Sequence, residues 1–170
     1  MDMTGSRIIA AEREAVWRAL LDPQVLQACV PGCQDMTGSP EQGFEATVVQ
    51  KVGPVKATFR GQVQMTDMVE PESLTLSGEG KGGAAGFAKG GARVRLTSVE
   101  GGTELSYEVE ANVGGKLAQL GSRIIDGFAR KMADAFFDNF QAEVAPEPVT
   151  ATATDETTEK KKGWLGRITG

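Results

Sequence analysis

The chain has 170 residues, a net charge of −5, no histidine and two cysteines. Such a length holds one domain plus a tail, and a domain of about 145 residues buries a sizeable core without disulfides or metal. The acidic balance argues against a general nucleic-acid binder, which carries a basic face, and the missing histidine removes Ser–His and Cys–His nucleophile pairs and histidine-ligated metals.

The start, MDMTGSR, has no apolar centre, so it is not a secretory signal. No run approaches 18 apolar residues, so nothing crosses a membrane as a helix and a cytoplasmic location is expected. Residues 3–10 read as a first strand. Ala11 to Leu21 reads as an amphipathic helix with Val16, Trp17, Leu20 and Leu21 on one face. Asp22-Pro23 stops it, because a residue before proline is pushed out of the helical region. Gln24 to Cys29 makes one more helical turn. Cys29 and Cys33 sit in CVPGC, a C-x3-C spacing that is neither a zinc knuckle nor a thioredoxin-like site. They read as reduced thiols around a Pro-Gly turn, with a redox role as the alternative.

Strand signals follow. Gly43 to Val52 places Phe44, Ala46, Val48 and Val52 on one face, and Gly53-Pro54 marks a turn. From Val55 to Met68 the chain alternates: Val55, Ala57, Phe59, Gly61, Val63 and Met65 against Lys56, Thr58, Arg60, Gln62, Gln64 and Thr66. One dry and one wet face indicate an antiparallel sheet covered on one side. Leu74 and Leu76 mark a fourth strand; Ala92, Val94 and Leu96 mark a fifth. Gly101-Gly102 is a hairpin signal. Leu105, Tyr107, Val109, Ala111 and Val113 face inward on a sixth strand, with Glu104, Glu108 and Glu110 outside.

Gly115 to Val144 then reads as one long helix. On a wheel of about 100° per residue, Leu117, Gly121, Ile124, Ile125, Phe128, Met132 and Phe136 form an apolar stripe, with a hole at Gly121. Phe137 falls about 160° from Gly121, so either the helix bends or Phe137 is an exposed contact. Strands flanked by helices without βαβ alternation give an α+β fold, here a curved sheet around the long helix.

Beyond Val144 the composition changes. Residues 145–159, Pro-, Thr- and acid-rich, read as a disordered linker after a domain of residues 1–144. Residues 160–170 form a basic-aromatic tail: Lys160, Lys161, Lys162 and Arg167 with Trp164, Leu165 and Ile168, a composition suited to an anionic bilayer surface.

No residue is singled out as catalytic and no metal ligand set is found. The glycine-rich GEGKGGAAGFAKGGAR is not a phosphate loop, because Lys81 is followed by Gly82 rather than Ser or Thr. It reads as a flexible hairpin, or as a gate tipped by Phe87. The carboxylates lie on wet faces, and Tyr107 is the one inward hydroxyl. The apolar interior is either a solid core or a pocket. Gly121 and the small inward Ala46, Ala57, Gly61, Gly78, Ala92 and Ala111 favour a pocket for an elongated apolar molecule.

Four segments, AVWRALLDPQVLQACVPGC (15–33), FEATVVQKVGPVKATFRGQV (44–63), LSGEGKGGAAGFAKGGARVRL (76–96) and GGKLAQLGSRIIDGFARKMADAFFDNF (114–140), resemble the carbon monoxide dehydrogenase G-subunit family of the START-like (SRPBCC, helix-grip) superfamily. The resemblance implies a sheet of about seven antiparallel strands wrapped round the C-terminal helix, with an apolar cavity between them. Six strands are legible, and the seventh is expected within 43–70 or the glycine-rich stretch. The cavity wall is then expected from Val48, Phe59, Val63, Met65, Leu76, Phe87, Val94, Leu96, Tyr107, Val109, Leu117, Gly121, Ile124, Ile125, Phe128 and Met132. The resemblance also implies a partner, a molybdenum-containing carbon monoxide dehydrogenase-type hydroxylase, and a role in attaching it to the cytoplasmic membrane. The expected function is a non-catalytic peripheral membrane protein that binds a quinone (menaquinone or ubiquinone) or a lipid and links the enzyme to the quinone pool. The alternatives are an adaptor with a filled core and a cyclase-like enzyme.

Overall fold

The computed structural model describes residues 1–145. The elements are β1 (Asp2–Ile9), α1 (Arg13–Leu20), α2 (Pro23–Cys29), β2 (Cys33–Ser39), β3 (Gly43–Val52), β4 (Val55–Val69), β5 (Ser73–Lys81), β6 (Phe87–Val99), β7 (Gly102–Gly114) and α3 (Ser122–Val144). Short 3-10 turns occupy Gly83–Ala85 and Gly115–Leu120. The seven strands form one antiparallel sheet in the order β1-β7-β6-β5-β4-β3-β2. This is the α+β helix-grip architecture expected from the sequence.

Period-two alternation builds the long strands. Along β4, Val55, Ala57, Phe59, Gly61, Val63 and Met65 turn to the concave face while Lys56 to Gln64 stay in water. Asp22 ends α1 and also starts α2: its carboxylate accepts from the Gln24 amide at 2.9 Å, with Pro23 at the first helical position.

Two expectations are corrected. The seventh strand is β2, outside both stretches expected to hold it. β4 runs unbroken to Val69, and β5 and β6 pair through the glycines, Gly78 opposite Gly90. β2 carries no legible signal because it is an edge strand of sequence CQDMTGS, with a register break between Cys33 and Asp35. The long helix begins at Ser122, not Gly115. Gly121 has φ 88° and ψ 158°, a region essentially reserved for glycine, so the chain breaks there between the 3-10 turn and α3.

Glycine fixes the shape of the CVPGC turn. Gly32 has φ 77°, and a Cβ there would collide with the Val49 carbonyl oxygen. The turn lies directly on β3, with the Val49 amide donating to the Gly32 carbonyl at 2.9 Å.

The core is concentrated at one end of the sheet. Ile9, Val16, Trp17, Leu74, Leu96, Leu105 and Phe140 are all at or below 3% exposure there, and each large apolar side chain so buried contributes roughly 1.5–3 kcal/mol. The one buried polar residue among the described residues, Thr103, is satisfied: its Oγ1 donates to the Ala11 carbonyl at 2.7 Å. The last turns of α3 are pinned, with Asn139 Nδ2 donating to the Cys29 carbonyl at 3.0 Å and the Ala10 amide donating to Gln141 Oε1 at 3.2 Å. The opposite, far end carries the β3–β4 turn, the β5–β6 turn and the 3-10 turn before α3.

Candidate functional site

Between α3 and the concave face lies an apolar cavity of about 650 Å³. It exists because α3 rests on the margins of the sheet, against β1 on one side and β3 and α2 on the other, rather than on the central strands. The central strands turn small residues inward, and Gly80, Ala88, Ala92 and Ala111 line the space. Facing them from α3 are Ile125, Phe128, Ala129, Met132 and Ala133.

Twelve of the sixteen residues expected on the wall line it: Val48, Phe59, Val63, Met65, Leu76, Val94, Tyr107, Val109, Leu117, Ile125, Phe128 and Met132. Four do not. Leu96 is 2% exposed in the packed core. Gly121 precedes the helix, so it leaves no hole in the stripe. Ile124 is 40% exposed and lies over the β3–β4 turn, near Gly53. Phe87 is 41% exposed, its ring lying over Gly114.

Phe137 is a further correction. It is buried and lines the cavity, neither bent away nor exposed. At the core end α3 is covered by α2 on one flank and β1 on the other, so apolar residues are needed over a wider arc than one stripe. Phe136 packs edge-on against Phe137 and stacks on Phe140.

Sequence reasoning misses Met1 just before β1 and Met3 on it, Leu26 of α2 and Val30 just after it, Met36 on β2, and Gln50. Gln50 is detectable in principle, because it shares the alternating face of Phe44, Val48 and Val52 on β3. Its Nε2 donates to the Pro31 carbonyl, which holds the amide on the α2 side of the cavity. Gln50 and Tyr107 are the polar side chains of the wall; no Asp, Glu, Lys, Arg or Cys lines it. They stand on β3 and β7, four strand spacings or about 19 Å apart along the sheet.

The wall therefore offers hydrogen bonding at two separate places and no group suited to acid–base or nucleophilic chemistry at neutral pH. Asp126 Oδ1 is buried without a partner, but Asp126 does not line the cavity. Cys29 and Cys33 are free thiols; burial pushes Cys29 up to about 11, with Glu143 adding to it, and raises Cys33 as well. Thiols of this kind resist ionisation and carry little nucleophilic character. Among the described residues no group of three potential ligands is placed to hold a metal. Among them too, no helix is long and apolar enough to cross a membrane. A second, polar depression of about 310 Å³ on the outer face, between Glu45, Arg60 and Glu79, mixes charges of both signs. The expected membrane residues Lys160, Lys161, Lys162, Trp164, Leu165, Arg167 and Ile168 lie outside the described residues.

Several solved structures share this fold. A conserved protein from Geobacillus kaustophilus superposes with a TM-score of 0.80 at 31% identity, over 86% of this chain and 96% of that one. A protein from Rhizobium leguminosarum gives 0.66 at 16% identity, covering 86% and 95%. A protein from Mycobacterium smegmatis gives 0.62 at 18% identity, covering 89% and 92%. Comparison with curated proteins gives no match. The family model described as the G subunit of carbon monoxide dehydrogenase (CoxG) matches residues 5–145, nearly the whole of the sheet-and-helix domain whose cavity is described above, and the chain belongs to that family.

Proposed function

We propose that this chain is a non-catalytic binding protein for an elongated apolar molecule, an isoprenoid quinone such as menaquinone or ubiquinone or a similar lipid. The observation that carries the reading is the 650 Å³ cavity, within the range of about 300–1,000 Å³ typical of small-molecule sites. Its wall suits a molecule with one hydrogen-bonding head and a long hydrocarbon remainder. The head would meet Gln50 or Tyr107, and the remainder the methionine-, leucine- and valine-rich wall, whose methionines adapt to irregular shapes. The volume also weighs against an adaptor with a filled core, and the lack of convergent polar groups weighs against a cyclase.

The partner is inferred from the family name. The chain would serve a carbon monoxide dehydrogenase-type molybdenum hydroxylase, recruit it to the inner face of the cytoplasmic membrane through residues 160–170, and link its electron output to the quinone pool. Mass spectrometry of an organic extract of the purified protein tests the ligand. A quinone or lipid recovered in stoichiometric amount is expected; its repeated absence from protein made in a quinone-containing host rejects the reading. Deleting residues 160–170 is expected to weaken binding to anionic vesicles, and unchanged binding rejects the tail's part in it.

A further inference from the structure

The far end of the sheet carries a surface that the tail and the cavity do not explain. Lys51 and Lys56 flank the β3–β4 turn, Lys81 and Lys89 flank the β5–β6 turn, and Lys116 and Arg123 flank the break before α3. All six are exposed, and none has an ion-pair partner among the described residues. In a chain of net charge −5 this is a local reversal of sign. The core end is the opposite, with Glu41, Asp67, Glu70, Glu72 and Glu100 on or beside its strand connections.

The arrangement breaks local rules of stability. Lys51 stands directly opposite Lys56, and Arg60 directly opposite Lys81, in the strand registers; like charges so placed are destabilising. Arg123 lies in the first turn of α3, which holds no acid, although a helix start favours negative side chains. The Arg60–Lys81 pair shares its depression with Asp35, Glu45 and Glu79, but the Lys51–Lys56 pair and the basic first turn of α3 have no such offset in the fold and point to an external anion. The interleaved acids are Glu79, which faces Lys89, Asp126, three residues after Arg123 on α3, and Asp2, which pairs with Glu110 towards the far margin.

The same end exposes two large apolar side chains, Phe87 at 41% and Ile124 at 40%. The cavity reaches it, since Val52, Gly80, Ala88, Val113 and Leu117 beside these turns line the wall. Met68 and Val69 are comparably exposed at the core end, but their neighbours Asp67, Glu70 and Glu72 would repel an anionic surface.

We propose that the far end docks directly on an anionic lipid bilayer, with the six cations at the headgroups and Phe87 and Ile124 entering the interface. Cations beside apolar side chains match that boundary. The docked end is the one the cavity reaches. Passage of a ligand between bilayer and cavity rests on the binding role proposed above; the docking itself does not, nor does it need the tail.

The test uses the full chain and phosphatidylcholine vesicles with and without phosphatidylglycerol. Each basic residue at such a surface contributes about a fivefold factor, so Lys51→Gln, Lys56→Gln, Lys81→Gln and Lys89→Gln together should weaken binding to the anionic vesicles at least tenfold. Binding equal to the wild type overturns the proposal. The second readout is Phe87→Trp in a Trp164→Phe background, where Trp17 is buried and constant. Its fluorescence should be quenched by brominated lipid in anionic vesicles, and absence of quenching overturns the proposal even if the quadruple variant folds poorly. Unchanged vesicle binding with loss of binding to the purified dehydrogenase overturns it in favour of a protein partner. Lys160→Glu, Lys161→Glu and Lys162→Glu together isolate the tail. Wild-type binding by that variant rejects the tail reading alone and supports attachment through the far end.

Discussion

The rings of Tyr107 and Phe137 stack, centroid to centroid, at 5.3 Å with 25° between their planes. This contact joins β7 to α3 and forms the floor of the cavity where it meets the packed core. It is possible because the residue paired with Tyr107 across β1 is Gly5, over which the phenol lies. Arg7 covers the other side, its guanidinium 5.7 Å from the Phe137 centroid and paired with Asp138 at 3.3 Å and Asp134 at 3.6 Å. Those ion pairs are largely exposed and contribute at most about 1 kcal/mol each; the apolar contacts of the stack matter more.

Phe137→Ala should therefore be costly. Truncating a buried phenylalanine destabilises by about 3–5 kcal/mol, and here it opens the floor between cavity and core. Urea unfolding followed by circular dichroism should show a loss in that range. A loss below about 1 kcal/mol, the scale of a surface substitution, would mean that α3 does not rest on this contact. Tyr107→Phe keeps the stack and should stay within about 1 kcal/mol of the wild type, the scale of one net hydrogen bond.

Gln50 is the polar side chain best held in position, so it is the better candidate for a ligand head. Gln50→Leu should weaken binding of a short-chain quinone at least fivefold, about one hydrogen bond, while leaving binding of a plain hydrocarbon probe unchanged. Isothermal titration with both ligands separates the effects. Equal losses for the two would make Gln50 a packing residue only.

Filling the cavity should separate binding from folding. Ala129 on α3 and Ala92 on β6 both line the space, on its helix and sheet sides, and Ala129→Phe with Ala92→Phe replaces ligand volume with side chain. The expected outcome is a melting temperature at or above that of the wild type, with recovered ligand below a tenth. A steep drop in melting temperature would mean that the space is too small to take two rings, since overpacking costs about 1–3 kcal/mol per site.

The legible parts of the fold are those where one periodicity acts alone. β4 and β7 alternate because one face is dry and the other wet, and the pattern identifies their inward residues down to Tyr107 and Val113. β2 escapes because an edge strand needs no strong pattern: its one large apolar residue, Met36, sits among polar and glycine residues. A helical wheel misplaces Gly121 because it cannot register a break in the helix, and the stripe continues by coincidence across the 3-10 turn through Leu117. Gln50 is hidden because a polar residue on a dry face looks like an interruption, although a hydrogen bond to Pro31 makes it part of the wall. Phe137 misleads because a wheel records angle and not how many neighbours surround a helix.

Cys29 gives a prediction with a defined sign. Its thiol ionises near 11 in the folded chain against an ordinary 9.0, so the folded state holds the proton more tightly. The stability this provides is complete below pH 9 and is lost as pH rises towards 11. Urea midpoints measured at pH 8 and pH 10.5 should fall further for the wild type than for Cys29→Ala. An equal fall would mean that the thiol titrates alike in both states. At pH 7.5 the same thiol should react slowly with disulfide reagents until the chain is unfolded.

The pinning of α3 at the core end has a consequence for motion. From Ser122 to Met132 no residue of the helix is fully buried, Gly127 lies within this stretch, and no side chain caps its start; Phe137 and Phe140 anchor the remainder at 8% and 0% exposure. Opening free energy should therefore rise along the helix from its first turn to its last. Native-state hydrogen exchange is expected to show the amides of Ile125 to Lys131 exchanging at least tenfold faster than those of Phe136 to Gln141. Uniform protection would make α3 a single cooperative unit. A helix graded in this way would act as a hinged flap, its first turns lifting from the sheet while its last turns hold; on the binding role proposed above, that would let a bulky guest pass Leu117 without unfolding the host.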